Sequence, residues 1–434
     1  MKHSVPRLLL LAALGLTLHA TASASLRDSL IETPIDTTTL AMDRYNPEIG
    51  YFQKAYSNLG DPRFMYGSGN FAIGIGGTIR ASAYYDLYGS PSKDNPQFNL
   101  VDIAIPTDNA NKFGISAANT EFHIKARSKF KKHNILAFLQ VNANDEEFIK
   151  LNQAYVSIDG LTIGKVYSFF MDLEAGTRTV DLAGPCTQIS RSHPLVGYKH
   201  SFGSHWTAGL ALEKPQVNAT DFTEQGIQLD NQSMPDVTLQ GKYKWDKGHI
   251  QLAAVLRNMS YWKHEKGPVK ADEGETRHVG GWGISLSGRF APSSRGHISF
   301  QSYYGRGIGH YINKVDAVNL DLGAADYDAV ADRYNSMKAV PVYGGFIAGR
   351  YRWSRRLASN AVIGYVYASH RDGVVVQDQF KCATYGAVNL FYFVSDYCSV
   401  GLEYAGGGRS NYHAPGEKHY GRGNRLNAAF IYMF

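Results

Sequence analysis

Apolar residues recur at every second position through long stretches of the chain, the period of a strand with one apolar face. The last ten residues show it plainly. Leu426, Ala428, Phe430, Tyr432 and Phe434 share one face, and Arg425 and Asn427 open the other. From Phe71 to Tyr88, Phe71, Ile73, Ile75, Ile79, Ala81, Ala83 and Tyr85 oppose Thr78, Arg80, Ser82, Tyr84 and Asp86. A second run, Thr120 to Phe130, sets Phe122, Ile124 and Ala126 against Glu121, His123, Lys125, Arg127 and Lys129. A third sets Ile135, Ala137, Leu139 and Val141 against Gln140, Asn142 and Asn144.

Further strands are expected to start near Ile149, Leu161, Leu195, Trp206, Val237, His249, Trp282, His297, Val342, Ser359, Lys381, Ser399 and Arg425, about sixteen in all. Turn chemistry at Asp159-Gly160, Lys247-Gly248 and Ser293 to Gly296 separates several of them. Short turns alternate with longer polar loops. Apolar-out, polar-in strands joined in this way predict an all-β fold: a transmembrane up-and-down antiparallel β-barrel, with Phe434 in its lower aromatic girdle. Taken alone, the last strand also suits a soluble sandwich, although soluble edge strands are usually blunted by charge or proline.

The amino terminus agrees with export. Lys2 and Arg7 form a basic region, Leu8 to Leu18 is apolar, and small residues lead to Ala24. This predicts a signal peptide over residues 1–24, too short to span a membrane as a helix. Residues 25–65, with Pro34, Pro47 and Pro62, read as a periplasmic lead-in, and residues 66–434 as the barrel. No later run of about 20 apolar residues occurs. Mean hydropathy is −0.28, which excludes a helical membrane bundle, whereas 28 Tyr and 44 Gly suit a barrel. The formal charge of +6 is too small for nucleic-acid binding, and export removes that partner. Cys186, Cys382 and Cys398 form no disulfide framework and match no zinc spacing. No metal or cofactor is expected.

Two loops stand out. The one after the fifth strand, Phe169 to Pro194, carries Asp172, Glu174, Arg178, Asp181, Pro185 and Arg191. It either folds inward and narrows a channel or lies on the surface. The other, Arg306 to Lys338, carries Asp316, Asp321, Asp326, Asp328 and Asp332. It is expected to be a solvated acidic loop, with a cation or lipopolysaccharide bridge as the alternative.

Candidate pore-lining residues follow from the alternation. Arg80, Lys125, Arg127, Lys242, Arg257, Arg289, Arg350 and Arg352 oppose the apolar faces of their strands, and Arg178 and Arg191 lie in the first loop. Converging cations would concentrate anions in a narrow pore. Glu121, Glu403 and Asp86 oppose them, and the alternative role for each arginine is an ion pair that braces the barrel. Catalysis finds little support: no G-x-S-x-G elbow, Walker loop or metal triad occurs. An outer-membrane enzyme acting on lipid is the competing function.

Near the carboxy terminus, Ala387-Val388-Asn389-Leu390-Phe391-Tyr392, Val400-Gly401-Leu402-Glu403-Tyr404-Ala405, Gly408-Arg409 and Asn424-Arg425-Leu426-Asn427 follow in order. This run resembles the DcaP-like porins, and Leu161 to Lys165 is similar to their fifth strand. The resemblance implies a sixteen-stranded, homotrimeric porin of the Gram-negative outer membrane, in contact with lipid and lipopolysaccharide. It also implies an inward channel loop facing strands one and two, and a basic lumen for passive diffusion of small anionic solutes. Residues 25–65 depart from the longer coiled-coil arm that members often carry.

Overall fold

The computed structural model describes residues 64–68, 70–89, 97–108, 111–143, 149–181, 184–264, 274–315, 318–370, 373–412 and 419–434. The expected signal peptide and nearly all of the expected lead-in lie outside them. The wall strands are β1 (Phe71–Tyr88), β2 (Glu121–Phe130), β3 (His133–Asn142), β4 (Lys150–Ile158), β5 (Leu161–Tyr167), β6 (Ser192–Phe202), β7 (Trp206–Glu213) and β8 (Asp236–Trp245). They continue as β9 (Gly248–His264), β10 (Gly274–Ser293), β11 (Gly296–Arg306), β12 (Pro341–Arg352), β13 (Leu357–Ala368), β14 (Phe380–Phe393), β15 (Cys398–Asn411) and β16 (Tyr420–Met433). Each pairs antiparallel with the one before it. β16 returns to β1, with Phe430 opposite Ala81 and Leu426 opposite Tyr85, so the sheet closes. Among the described residues the only helical segments are short 3-10 turns.

Outward positions carry the apolar face, as the alternation requires. Leu210, Leu252, Ile284, Ile347, Ile363 and Leu402 are between 48% and 69% exposed, an arrangement that suits lipid and not water. Phe130, Phe202, Trp206, Phe290 and Trp353 ring the end with the short turns, and Trp282, Tyr304, Tyr343 and Tyr365 lie toward the other. Gly160 closes the β4–β5 turn at φ +95°, where a Cβ would stand 2.3 Å from the Lys199 carbonyl oxygen.

Several segments differ from the expectation. β10 begins at Gly274, eight residues before Trp282, and β16 at Tyr420, five before Arg425. Gly274 to Gly281 and Tyr420 to Asn424 lack an apolar alternation. Ladder pairing with β9 and β15 holds them in place of side-chain burial. Lys112–Ser116, inside an expected loop, continues the line of β2 along the upper half of β1. Phe64–Ser68 pairs with the lower end of β1, on the edge that β16 leaves open. Leu322–Asp328 and Arg333–Ala339 form a separate hairpin within the expected acidic loop.

The buried apolar cluster sits inside the barrel. Phe98, Leu100, Phe170, Ile189, Tyr311 and Leu320, all from loops, pack there against inward wall residues such as Val255, Val342 and Ala387.

Candidate functional site

The β5–β6 loop crosses the lumen from wall to wall. It enters with Phe169 pressed against Gly197, where a Cβ would come within 2.7 Å of the ring. Glu213 accepts from Ser168 Oγ at 2.9 Å and from the Phe169 N–H at 3.0 Å. Asp172 then meets β8, β9 and β10 together: Lys242 Nζ at 2.9 Å, His249 Nε2 at 2.8 Å and Ser287 Oγ at 2.8 Å. Glu174 takes Lys242 at 3.0 Å and Lys244 at 2.7 Å. Burial raises the Asp172 carboxyl, but Lys242 and His249 outweigh it and hold it well below the usual range.

The far side of the loop is anchored on β14, β15 and β1. Glu403 accepts from the N–H groups of Val180 at 2.6 Å and Asp181 at 2.9 Å. Arg178 lies 4.0 Å over the Phe391 ring and donates to Ser399 Oγ at 3.2 Å. Arg80 donates to the Val180 carbonyl. The loop is therefore an inward one, and the surface-loop alternative falls.

The β11–β12 loop corrects the expectation of a solvated acidic segment. Its exposed tip does carry Asp326, Asp328 and Asp332, but Asp321 is fully buried inside the barrel, 2.9 Å from Arg257 Nη1. Ile308, Tyr311, Ile312 and Leu320 are buried with it, because the apolar residues of the loop face other loops and not water. The Ser190 N–H donates to the Tyr311 carbonyl at 2.9 Å, and the Asn313 N–H to the Gln188 carbonyl at 2.9 Å. Residues 97–108 join them: the Phe98 N–H donates to Asp181 Oδ2 at 2.6 Å. Three loops thus form one connected assembly in the lumen. Acidic side chains in a loop signal solvent only when no buried cation waits for them, and Arg257 does.

Beside this assembly a small cleft remains, lined by Arg80, Ser82, Tyr84, Gln97, Asn119 and Asp181. Glu121, at the start of β2, accepts from Gln140 Nε2 at 2.6 Å and Thr78 Oγ1 at 3.4 Å. Toward the short-turn end, β2 presents Lys125, Arg127 and Lys129 on its inward face. Across the lumen, His297 pairs in register with Arg350, and Arg289 with Ser299.

Residues 65–339 match the family model described as a porin subfamily. The chain belongs to this porin family. It is a Gram-negative outer-membrane β-barrel, and the resemblance to DcaP-like porins holds at the level of family and fold. The DcaP outer-membrane channel of Acinetobacter baumannii is similar at 16% identity and TM-score 0.70, over 85% of this chain and 99% of that one. Outer-membrane expressed OmpT of Vibrio cholerae is similar at 9% identity and TM-score 0.51, over 85% and 100%. A trimer form of that OmpT gives 10% and 0.51, over 84% and 100%. No curated protein matches the sequence.

The porin's expected pore-lining residues on the wall strands lie on inward faces, and Arg178 and Arg191 lie in the loop that crosses the lumen; their neighbours differ. Lys242 and Arg257 are buried among loop carboxylates, and Arg80 and Arg178 against the β5–β6 loop and its supports. Arg191 donates to the His310 carbonyl and joins two loops. Arg289 is half-buried, Arg350 buried, Lys125 buried and Arg127 exposed. Arg425, absent from the expected set, is fully buried on Asp86 with contacts of 2.6 and 3.0 Å. Both had been placed on inward faces, so the strand register that sets them opposite each other was the missing signal. His249, Ser287, Asp236 and His310 were not foreseen. Their alternation marks them only as inward or loop residues, and their partners lie on distant segments. The three cysteines are unpaired.

Proposed function

We propose that the porin passes small hydrophilic solutes by passive diffusion with a modest preference for anions, and that it works as a homotrimer without catalysis. One observation supports the anion preference: six lumenal acids, Glu121 not among them, are matched by cations or by backbone N–H groups. Asp172 and Glu174 meet Lys242, Asp236 and Asp321 meet Arg257, Asp86 meets Arg425, and Glu403 meets backbone N–H groups. The lower vestibule presents Arg127 and Lys129 on exposed positions of β2, with the half-buried Arg289 across from them. Each such charge contributes on the order of 1–4 kcal/mol at contact distance in a water-filled pore, and charges within about 8 Å act together. Glu121 reduces the effect. The trimer form of the similar OmpT supports the oligomeric reading. The leader sequence supports export and removal of residues 1–24.

The experiment is the reversal potential of single channels in a salt gradient. An anion-selective sign is expected, and a cation-selective one refutes the preference.

A lipid-cleaving enzyme has one observation in its favour: Ser260 Oγ lies 3.0 Å from His278 Nδ1. Ser260 is fully buried, and no acid or amide among the described residues meets the other ring nitrogen of His278, so nothing orients the base. Lipid hydrolysis abolished by Ser260→Ala, without conductance, would reverse this choice.

A further inference from the structure

We propose that Arg257 is a positioning residue that clamps the β11–β12 loop into the lumen as a second, releasable constriction, and so sets the bore of the channel. The inference rests on the channel reading and goes beyond it, because it removes Arg257 from the solute path.

Arg257 projects inward from β9, and its side chain has no exposure. Its Nε meets Asp236 Oδ2 on β8 at 3.0 Å, and its Nη1 meets Asp321 Oδ1 in the loop at 2.9 Å. Nη1 also donates to the Gly307 carbonyl, and Nη2 to the Gln216 carbonyl in the β7–β8 loop. One planar guanidinium thus holds the segment where it leaves β11 and again where it approaches the hairpin. Asp321 fixes the turn from the other side, accepting from the N–H groups of His310 at 3.0 Å and Asn218 at 2.9 Å. Tyr311 Oη donates to Asp236 at 2.9 Å, which closes the network.

Between the two clamp points lie Ile308, Tyr311, Ile312 and Leu320, all fully buried in the lumen. Ile312 bridges Ile189 of the β5–β6 loop, so the second loop braces the first. Beyond the clamp, the hairpin leads outward to Val330, which is 99% exposed. The loop is therefore tethered to the wall at a charged point, its hairpin base is buried and bridged to Ala219 and Val375, and only the hairpin tip is open to the outside. The wall has support of its own: continuous ladder pairs join β8 to β12. Without the guanidinium, Asp236 keeps Tyr311 Oη and Asp321 the His310 and Asn218 N–H groups, two carboxylates without a cation in a water-poor site, which weakens the hold on the loop.

The test is single-channel conductance and reversal potential, in planar bilayers, of Arg257→Met, Arg257→Lys and Asp321→Asn. Arg257→Met is expected to raise conductance more than twofold, with frequent transitions between levels. Arg257→Lys should recover most of the wild-type value, because an ammonium can still bridge one carboxylate. Asp321→Asn should fall between. With Arg257→Met the reversal potential should move toward cations together with the rise in conductance, because Asp236 and Asp321 lose their cation. Wild-type conductance in a folded Arg257→Met channel would overturn the proposal and leave apolar packing as the holder of the loop. A shifted reversal potential at constant conductance would overturn it in favour of Arg257 as a solute-facing charge. If Arg257→Met does not insert, Asp321→Asn decides by the same readouts: a rise supports the clamp and no change overturns it. Wild-type protein that conducts nothing would overturn the channel reading itself, and the clamp with it.

Discussion

Lys242 and Arg257, on β8 and β9, and Lys125 and Arg127, on β2, occupy the same kind of position: inward, on a strand whose other face meets lipid. Their surroundings differ. The first pair meets Asp172, Glu174, Asp236 and Asp321, three of them from loops, and both are buried. The β2 pair lies on the inward face toward the short-turn end, where Lys125 is also buried and Arg127 is exposed. Inward orientation follows from the strand. Whether an inward cation anchors a loop or meets a solute follows from what fills the lumen beside it.

The sharpest way to break this contrast is at the first anchor. Asp172→Ala leaves Lys242 and His249 without their shared carboxylate, and losing one partner of a buried pair costs about 3–5 kcal/mol. Urea unfolding in detergent should show that loss, together with raised conductance. A loss below about 1 kcal/mol would mean that Glu174 and Lys244 suffice to hold the loop. At the opposite anchor, Glu403→Gln keeps the shape but removes the charge that receives the N–H groups of Val180 and Asp181. The expected cost is about 1–3 kcal/mol, read in the same way. Unchanged stability would show that Arg178 on Phe391 is enough.

The β2 cations should behave in the opposite sense. Arg127→Ala, alone or with Lys129→Ala, both exposed, should reduce the anion-to-cation permeability ratio severalfold while stability shifts by less than about 1 kcal/mol. A destabilised barrel with unchanged selectivity would place them with the anchors. Arg80→Ala is a poorer probe, because Arg80 also holds the Val180 carbonyl and its loss mixes the two effects.

The smallest effect is that of pH. Burial raises the Glu174 carboxyl, but Lys242, Lys244 and His249 outweigh it and hold it down to about 2. A depressed carboxyl contributes stability above its ordinary value of 4.5, and that contribution is lost as pH falls through about 2. Asp321 is shifted the other way: burial pushes it up despite Arg257, so its protonation does not cost stability. Conductance should therefore change in two steps as pH falls: first where Asp321 gains its proton and gives up its charge against Arg257, then below 4.5 through the β5–β6 anchor. A change confined to higher pH would show that other groups hold that loop.

The wall of this porin was largely legible in the chain. Phe122, Ile124 and Ala126 against His123, Lys125 and Arg127 state both a strand and its two environments, because facing is a local, period-two property. The glycine-rich upper parts of β10 and β16 were not legible, since only a neighbouring strand keeps them extended. The lumen was legible as a list of inward residues and no further. Glu403 and Val180 lie 223 positions apart, Arg257 and Asp321 64, and Arg425 and Asp86 339. Nothing periodic joins such pairs. Sequence alone decided which side chains enter the barrel, through the alternation that lipid imposes. Tertiary structure decided which of them anchor loops, because a buried charge must be matched by whichever distant segment the closed wall brings to it.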